Sequence, residues 1–139
     1  MIFNYEPVTF GEIKSSFGTP ITGEKVKLLA ANIQYGDRDL SAVNGRLFNK
    51  PNSFFNNCII YDHEVNNTIT AKNVNIRYDT RSYYSIADVI HSQTFPEDYD
   101  FGTRALSNVH YICGMSVPPI MIKRIVARLI EGGVFLSKS

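Results

Sequence analysis

The stretch Cys113–Phe135, CGMSVPPIMIKRIVARLIEGGVF, decides how the rest of the chain is read. Val117 and Pro118 each precede a proline, which disfavours the helical conformation at both. Pro119 suits a first helical position, where its missing N–H is no loss. From there Ile122, Ile125, Val126, Leu129 and Ile130 fall on one apolar stripe, and Lys123, Arg124, Arg128 and Glu131 lie mostly off it. Gly132 or Gly133 supplies the C-cap. The stripe is rich in Ile and Val, which are indifferent helix formers. Such a helix depends on a sheet or another helix to cover it.

Working back from this helix, TFPEDYDFG (94–102) reads as an aromatic, acidic loop. SIADVIHSQ (85–93) reads as a short helix. Ser85 stands three residues before Asp88, close to a capping box, and Ile86, Val89 and Ile90 share a face. NVNIRY (73–78) alternates, so Val74, Ile76 and Tyr78 are expected on one face of a strand and Asn73, Asn75 and Arg77 on the other. A solvated polar face explains that pattern. A base-reading face explains it too, since Asn and Arg make two-pronged contacts to adenine and guanine edges. CIIY (58–61) and TITA (68–71) read as short strands, DHEVNN as a turn and PNSFFNN as a loop.

Further toward the N-terminus, DRDLSAVNGRLFNK (37–50) predicts a short helix around Leu40 and Val43, broken at Asn44-Gly45. Val26, Leu29, Ala30 and Ile33 predict a helix from Thr22, with Gly36 able to end it. Residues 1–22 read as irregular chain with short extended pieces. The expected fold is therefore a small mixed α+β domain with short β-strands and a C-terminal helix.

The totals narrow the function. A chain of 139 residues with 44% apolar and 19% charged side chains suits one globular domain. Its net charge of +1 excludes a strongly basic nucleic-acid binder, so any DNA contact must come from local clusters. Cys58 and Cys113 are too far apart for a metal motif and read as reduced structural thiols. The three histidines, at positions 63, 91 and 110, are dispersed and read as surface or core residues. No metal site is expected. No signal peptide or membrane-length apolar run is visible, which predicts a soluble, cytoplasmic protein without membrane contact.

Three of these segments, taken together, resemble the C-terminal part of DNA (cytosine-5) methyltransferases of bacterial or phage type. The Gln-x-Phe-Pro-Asp-x-Tyr end of that family's ninth motif corresponds to Gln93-Thr94-Phe95-Pro96-Glu97-Asp98-Tyr99. Its preceding helix corresponds to SIADVIHSQ, with His91 where Arg is usual. The tenth motif, Gly-Asn-Ala/Ser-Val-Pro-Pro before a helix, corresponds to Gly114-Met115-Ser116-Val117-Pro118-Pro119, with Met115 in place of Asn. A Thr-hydrophobic-Thr element corresponds to Thr68-Ile69-Thr70. The resemblance covers Thr68 to Phe135; over Pro7 to Tyr61 it is weaker, with PVTFGEI resembling the trailing strand of the eighth motif.

Length and the absence of a dividing linker predict a single domain, 1–139, and the resemblance implies within it a target-recognition region over about 14–84 and a C-terminal motif segment over about 85–136. It implies that recognition loops follow the Thr-Ile-Thr element, which makes Lys72, Asn73, Asn75, Arg77 and Arg81 candidates for contacts to double-stranded DNA. Asp79 is placed to accept from a cytosine amino group or to pair with a neighbouring Arg. Ser116 and Val117 are what remains of the S-adenosylmethionine side of the tenth motif.

The chemistry of cytosine C5 methylation needs a thiolate, an acid near N3 and a bound S-adenosylmethionine. The family's Pro-Cys, Glu-Asn-Val and Gly-rich-loop motifs are all missing from this sequence. No catalytic residue is therefore expected. The leading expectation is the DNA-recognition and C-terminal portion of a restriction-modification-type methyltransferase, inactive alone and without tight S-adenosylmethionine binding. It arises as a cut-down chain, a truncated product or one polypeptide of a split enzyme. The alternative is a non-catalytic interaction module whose terminal helix docks on a catalytic partner or pairs as a homodimer. A free-standing enzyme using Cys58 or Cys113 is the weakest reading, since neither thiol has a base or cation beside it in sequence.

Overall fold

The structure is a computed structural model and describes residues 6–72 and 74–133. Among them the elements run α1 (Phe10–Ile13), α2 (Glu24–Ala31), α3 (Leu40–Phe48), β1 (Ile59–Ile60), β2 (Ile76–Arg77), β3 (Ser82–Tyr83), α4 (Ile86–Ser92), α5 (Leu106–Gly114) and α6 (Pro119–Glu131). This is a small mixed α+β fold that ends on a helix.

The sheet has the order β1-β2-β3. Its first pair is parallel, with Ile59 beside Ile76 and Ile60 beside Arg77; its second is antiparallel, with Ile76 beside Tyr83. Neighbouring residues of β1 serve different cores, because successive side chains of a strand point to opposite faces. Ile59 joins Leu29, Ala30, Ile33, Leu40, Val43 and Ile76, which brings α2 and α3 onto one face. Ile60 joins Phe10, Ile69, Tyr84, Val89, Val109 and Cys113, which brings α1, α4 and α5 onto the other. The strands are only two residues long, and bridges Thr19–Tyr83 and Asp39–Cys58 extend the pairing at the edges.

Local signals account for several elements. Asp39 caps α3 by accepting from the backbone N–H groups of Ser41 and Ala42. The Ser85–Asp88 capping box opens α4 as the sequence predicts. Pro119 takes the first turn of α6 and Gly132 its C-cap, with Gly133 following at a φ of 78°.

Other expectations are corrected. FGEI forms the short helix α1 and not a strand, and Phe10 is fully buried. The second helix stops at Ala31, and Gly36 lies in the turn beyond, at a φ of 99°. Helix α3 runs straight through Asn44-Gly45. There Asn44 is buried and donates to the Lys50 carbonyl at 2.6 Å, while the bare face of Gly45 packs against Pro51. It ends instead at Asn49, in the left-handed region at a φ of 53°. Thr68–Ala71 is not a strand, although Ile69 is buried. The alternation expected of 73–78 also fails: Asn75, Ile76 and Arg77 are all buried. Asn73 and the terminal residues 1–5 and 134–139 lie outside the described residues.

Helix α6 has no buried residue, and Ile120, Met121, Ile122, Val126 and Ile130 are exposed. It is joined to the domain at its start, where the Ile120 N–H donates to Thr94 Oγ1 at 3.1 Å. Its apolar stripe is not folded back over this chain's own sheet.

Candidate functional site

The three motif segments meet. Gln93, the last cap of α4, is buried, and its side-chain amide donates to the Cys113 carbonyl at 2.8 Å and the Ser116 carbonyl at 3.0 Å. That fixes the end of α5 and the turn before Val117-Pro118-Pro119. The next residue, Thr94, adopts a φ of 60° and reaches the first turn of α6. Gly114 sits directly on the Thr-Ile-Thr segment. A Cβ there would lie 2.4 Å from the Ala71 nitrogen and the Thr70 carbonyl carbon, so only glycine allows this approach. Phe101 meets Phe95 and Tyr99 edge to face while Phe95 and Tyr99 are tilted to each other, and Phe95 and Phe101 pack on the core that contains Val109 and Cys113.

Arg77 is not a surface side chain. It is 1% exposed and held by Asp79 through Nε (3.0 Å) and Nη2 (2.8 Å), and by Asp88 through Nη1 (3.1 Å). Nη1 also lies 3.3 Å from Ser15 Oγ. Asp88 is fully buried and accepts from the Ser15 and Ser85 backbone N–H groups as well. Lys14 bridges Asp79 and Asp62 at 2.9 and 2.6 Å. Burial by itself would raise the Asp79 pKa; hydrogen bonds and charge from Arg77 and Lys14 outweigh it and hold the carboxyl far below the usual range. Asp79 therefore pairs with its neighbouring arginine. The network ties β2 to the start of α4 and to the chain after α1, and it leaves the guanidinium no free edge for a base. Asn75 is 2% exposed and is likewise removed from any surface.

Of the remaining candidates, Lys72 is exposed. Arg81 is half-buried at a φ of 52°, with its guanidinium 3.9 Å from the Tyr78 ring centre and bonded to the Tyr78 carbonyl. Lys72 is the more open of the two. Sequence reasoning had no signal for Ser15, Lys14 or Asp62, which come from segments far from Arg77. It did mark Asp88, by its place three residues after Ser85.

The polar groups of Ser116 are spent internally. Its hydroxyl donates to Ile112 O at 2.6 Å, its N–H to Cys113 O, and its carbonyl accepts from Gln93. Val117 is exposed. Burial raises the pKa of Cys58, and it pushes the Cys113 thiol up to about 11, the opposite of what a nucleophilic thiolate requires. Neither cysteine forms a disulfide. His91 bonds the Ile13 carbonyl and Glu97. Among the described residues no group of three His, Cys, Asp or Glu is placed to hold a metal ion, and no helix is long and apolar enough to cross a membrane.

Comparisons with protein-family models, with curated proteins and with solved structures find no match to this chain.

Proposed function

We propose that this chain is the DNA-recognition and C-terminal portion of a cytoplasmic DNA (cytosine-5) methyltransferase, and that it is inactive without a separate catalytic half. The observation that carries this reading is the junction of Gln93, Gly114 and Thr70. Three short motifs resembling that family, spread from Thr68 to Pro119, hold one another through two side-chain bonds and one glycine contact. The exposed stripe of α6 supports the same reading, because a catalytic half gives that stripe something to cover it. S-adenosylmethionine belongs to the full enzyme, where the catalytic half supplies its pocket.

Double-stranded DNA is the proposed partner, contacted through Lys72 and Arg81 rather than Arg77. Purified chain should bind a duplex weakly, with affinity falling as salt rises, and should transfer no methyl group from a labelled donor. Addition of a catalytic half carrying Pro-Cys, Glu-Asn-Val and the Gly-rich loop should restore transfer. Methyl transfer by the chain alone, or no DNA binding with or without that half, overturns the reading.

A further inference from the structure

Two surfaces of this chain, whose net charge is only +1, carry opposite charge over apolar ground. The first is helix α6. Its stripe leaves Ile122, Val126 and Ile130 between 40% and 57% exposed. With about 100° of turn per residue, Lys123 and Arg128 border that stripe on its two sides, and Arg124 and Glu131 stand on the back. Three basic side chains against one acidic give the helix a formal charge of +2.

The second is a groove of about 1210 Å³, larger than most small-molecule pockets, lined by α4, α5 and the loop 97–104. Its apolar ground is Ile86, Ile90, Phe101 and the buried Val109. Glu97, Asp98 and Asp100 stand exposed around it against Arg104, a formal charge of −2 with His91 neutral. Among the described residues none from α6 lines this groove. Yet α6 begins beside it, because the Ile120 N–H is held by Thr94, three residues before Glu97. From that point its 13 residues run for about 20 Å.

A chain that carries both members of a complementary pair and does not join them itself is self-complementary. Such a surface closes across a two-fold axis, each copy giving its helix and receiving the other's. Burial of the stripe supplies the drive, since contiguous exposed apolar surface is uncommon on monomers. Charge supplies the choice of occupant, since an acidic rim favours a helix whose apolar stripe is bordered by Lys and Arg.

We propose that α6 of one copy docks in the 97–104 groove of a second copy, with its stripe on the apolar ground and Lys123 and Arg128 against the acidic rim, and that the exchange is reciprocal. This goes beyond the methyltransferase reading and does not rest on it; a catalytic half that covers α6 displaces the second copy. The full chain should sediment as a dimer at micromolar concentration. Lys123→Glu with Arg128→Glu sets an acidic helix against an acidic groove, and Glu97→Lys with Asp98→Lys sets a basic groove against a basic helix. All four side chains are exposed. Each double variant alone should dimerise at least about tenfold more weakly, because like charges then face each other. An equimolar mixture should recover the dimer, since the acidic helix then meets the basic groove and the unaltered helix meets the unaltered groove. Where a double variant loses the circular dichroism of the parent, Lys123→Glu and Asp98→Lys repeat the same mixture singly. A parent chain that stays monomeric at millimolar concentration overturns the inference, as do folded variants that remain monomeric when mixed. A groove variant that dimerises as well as the parent places the seam helix on helix and overturns it too. Parent chain that is monomeric in solution and binds phosphatidylserine vesicles through α6 overturns it in favour of an anionic membrane. The readout is mass, so failure to bind DNA or to transfer methyl groups leaves the result intact.

Discussion

The buried amide of Gln93 bonds two carbonyls, those of Cys113 and Ser116, across twenty and more residues of chain. Gln93→Leu keeps approximate volume and removes both donors, which leaves two backbone acceptors near a core without partners. It should lower unfolding free energy by about 1–3 kcal/mol. Urea denaturation measures it. A change below about 0.5 kcal/mol means that water replaces the amide at no cost.

Gly114→Ala tests the same junction from the other side. The new methyl meets the Thr70–Ala71 peptide at 2.4 Å, and backbone cannot move aside as a flexible side chain can. The expected loss is at least about 1–3 kcal/mol, the usual range for overpacking. A thermal midpoint equal to that of the parent chain contradicts the close approach.

Arg77 should behave as a folding residue. Arg77→Met removes the positive partner of fully buried Asp88, and breaking a buried pair in this way costs about 3–5 kcal/mol. Arg77→Met with Asp88→Asn should recover part of that loss, because the stranded charge is gone. A folded, fully stable Arg77→Met that has lost affinity for one DNA sequence returns Arg77 to base reading.

The depressed pKa of Asp79 gives a pH dependence with a definite sign. Its carboxylate is favoured in the folded state, so its contribution is full above the unfolded value of about 3.9. The contribution is lost progressively as pH falls through that value toward the lower folded one. Stability of the parent chain should therefore drop more steeply from pH 5 to pH 2 than that of Asp79→Asn. Parallel curves for the two remove Asp79 as the cause.

Helix α6 should contribute to association and little to the domain's own stability. Ile122→Asp and Val126→Asp place charge on exposed positions of its stripe and should shift unfolding free energy by no more than about 0.5 kcal/mol. They should abolish docking on a catalytic half or on a second copy, whichever forms. Light scattering reads the second case and co-purification the first. Unfolding or aggregation of either variant shows that the stripe is buried within one chain.

Elements whose cause is local were legible in the sequence. The α4 capping box, the Val-Pro-Pro start of α6 and its Ile/Val stripe depend on residues three or four positions apart, and the structure places them as read. The residues Gln93, Gly114 and Pro119 stand out in the sequence, but nothing in it shows the bonds that join their segments. The faces of 73–78 were not legible. An Asn or Arg alternating with Val and Ile reads as a solvated face, and only the arrival of Asp88 from α4 and of Ser15 and Lys14 from beyond α1 makes a buried guanidinium tolerable there. The ring cluster at Tyr35 was hidden for the same reason, since its rings come from positions 35, 61, 63 and 78 on separate segments. Sequence alone determined where helices start and which stripe of α6 is apolar, because those follow from bond geometry along one segment. Tertiary structure decided which polar side chains are free to meet a ligand, because burial of a charge depends on which opposite charge the rest of the chain delivers to it.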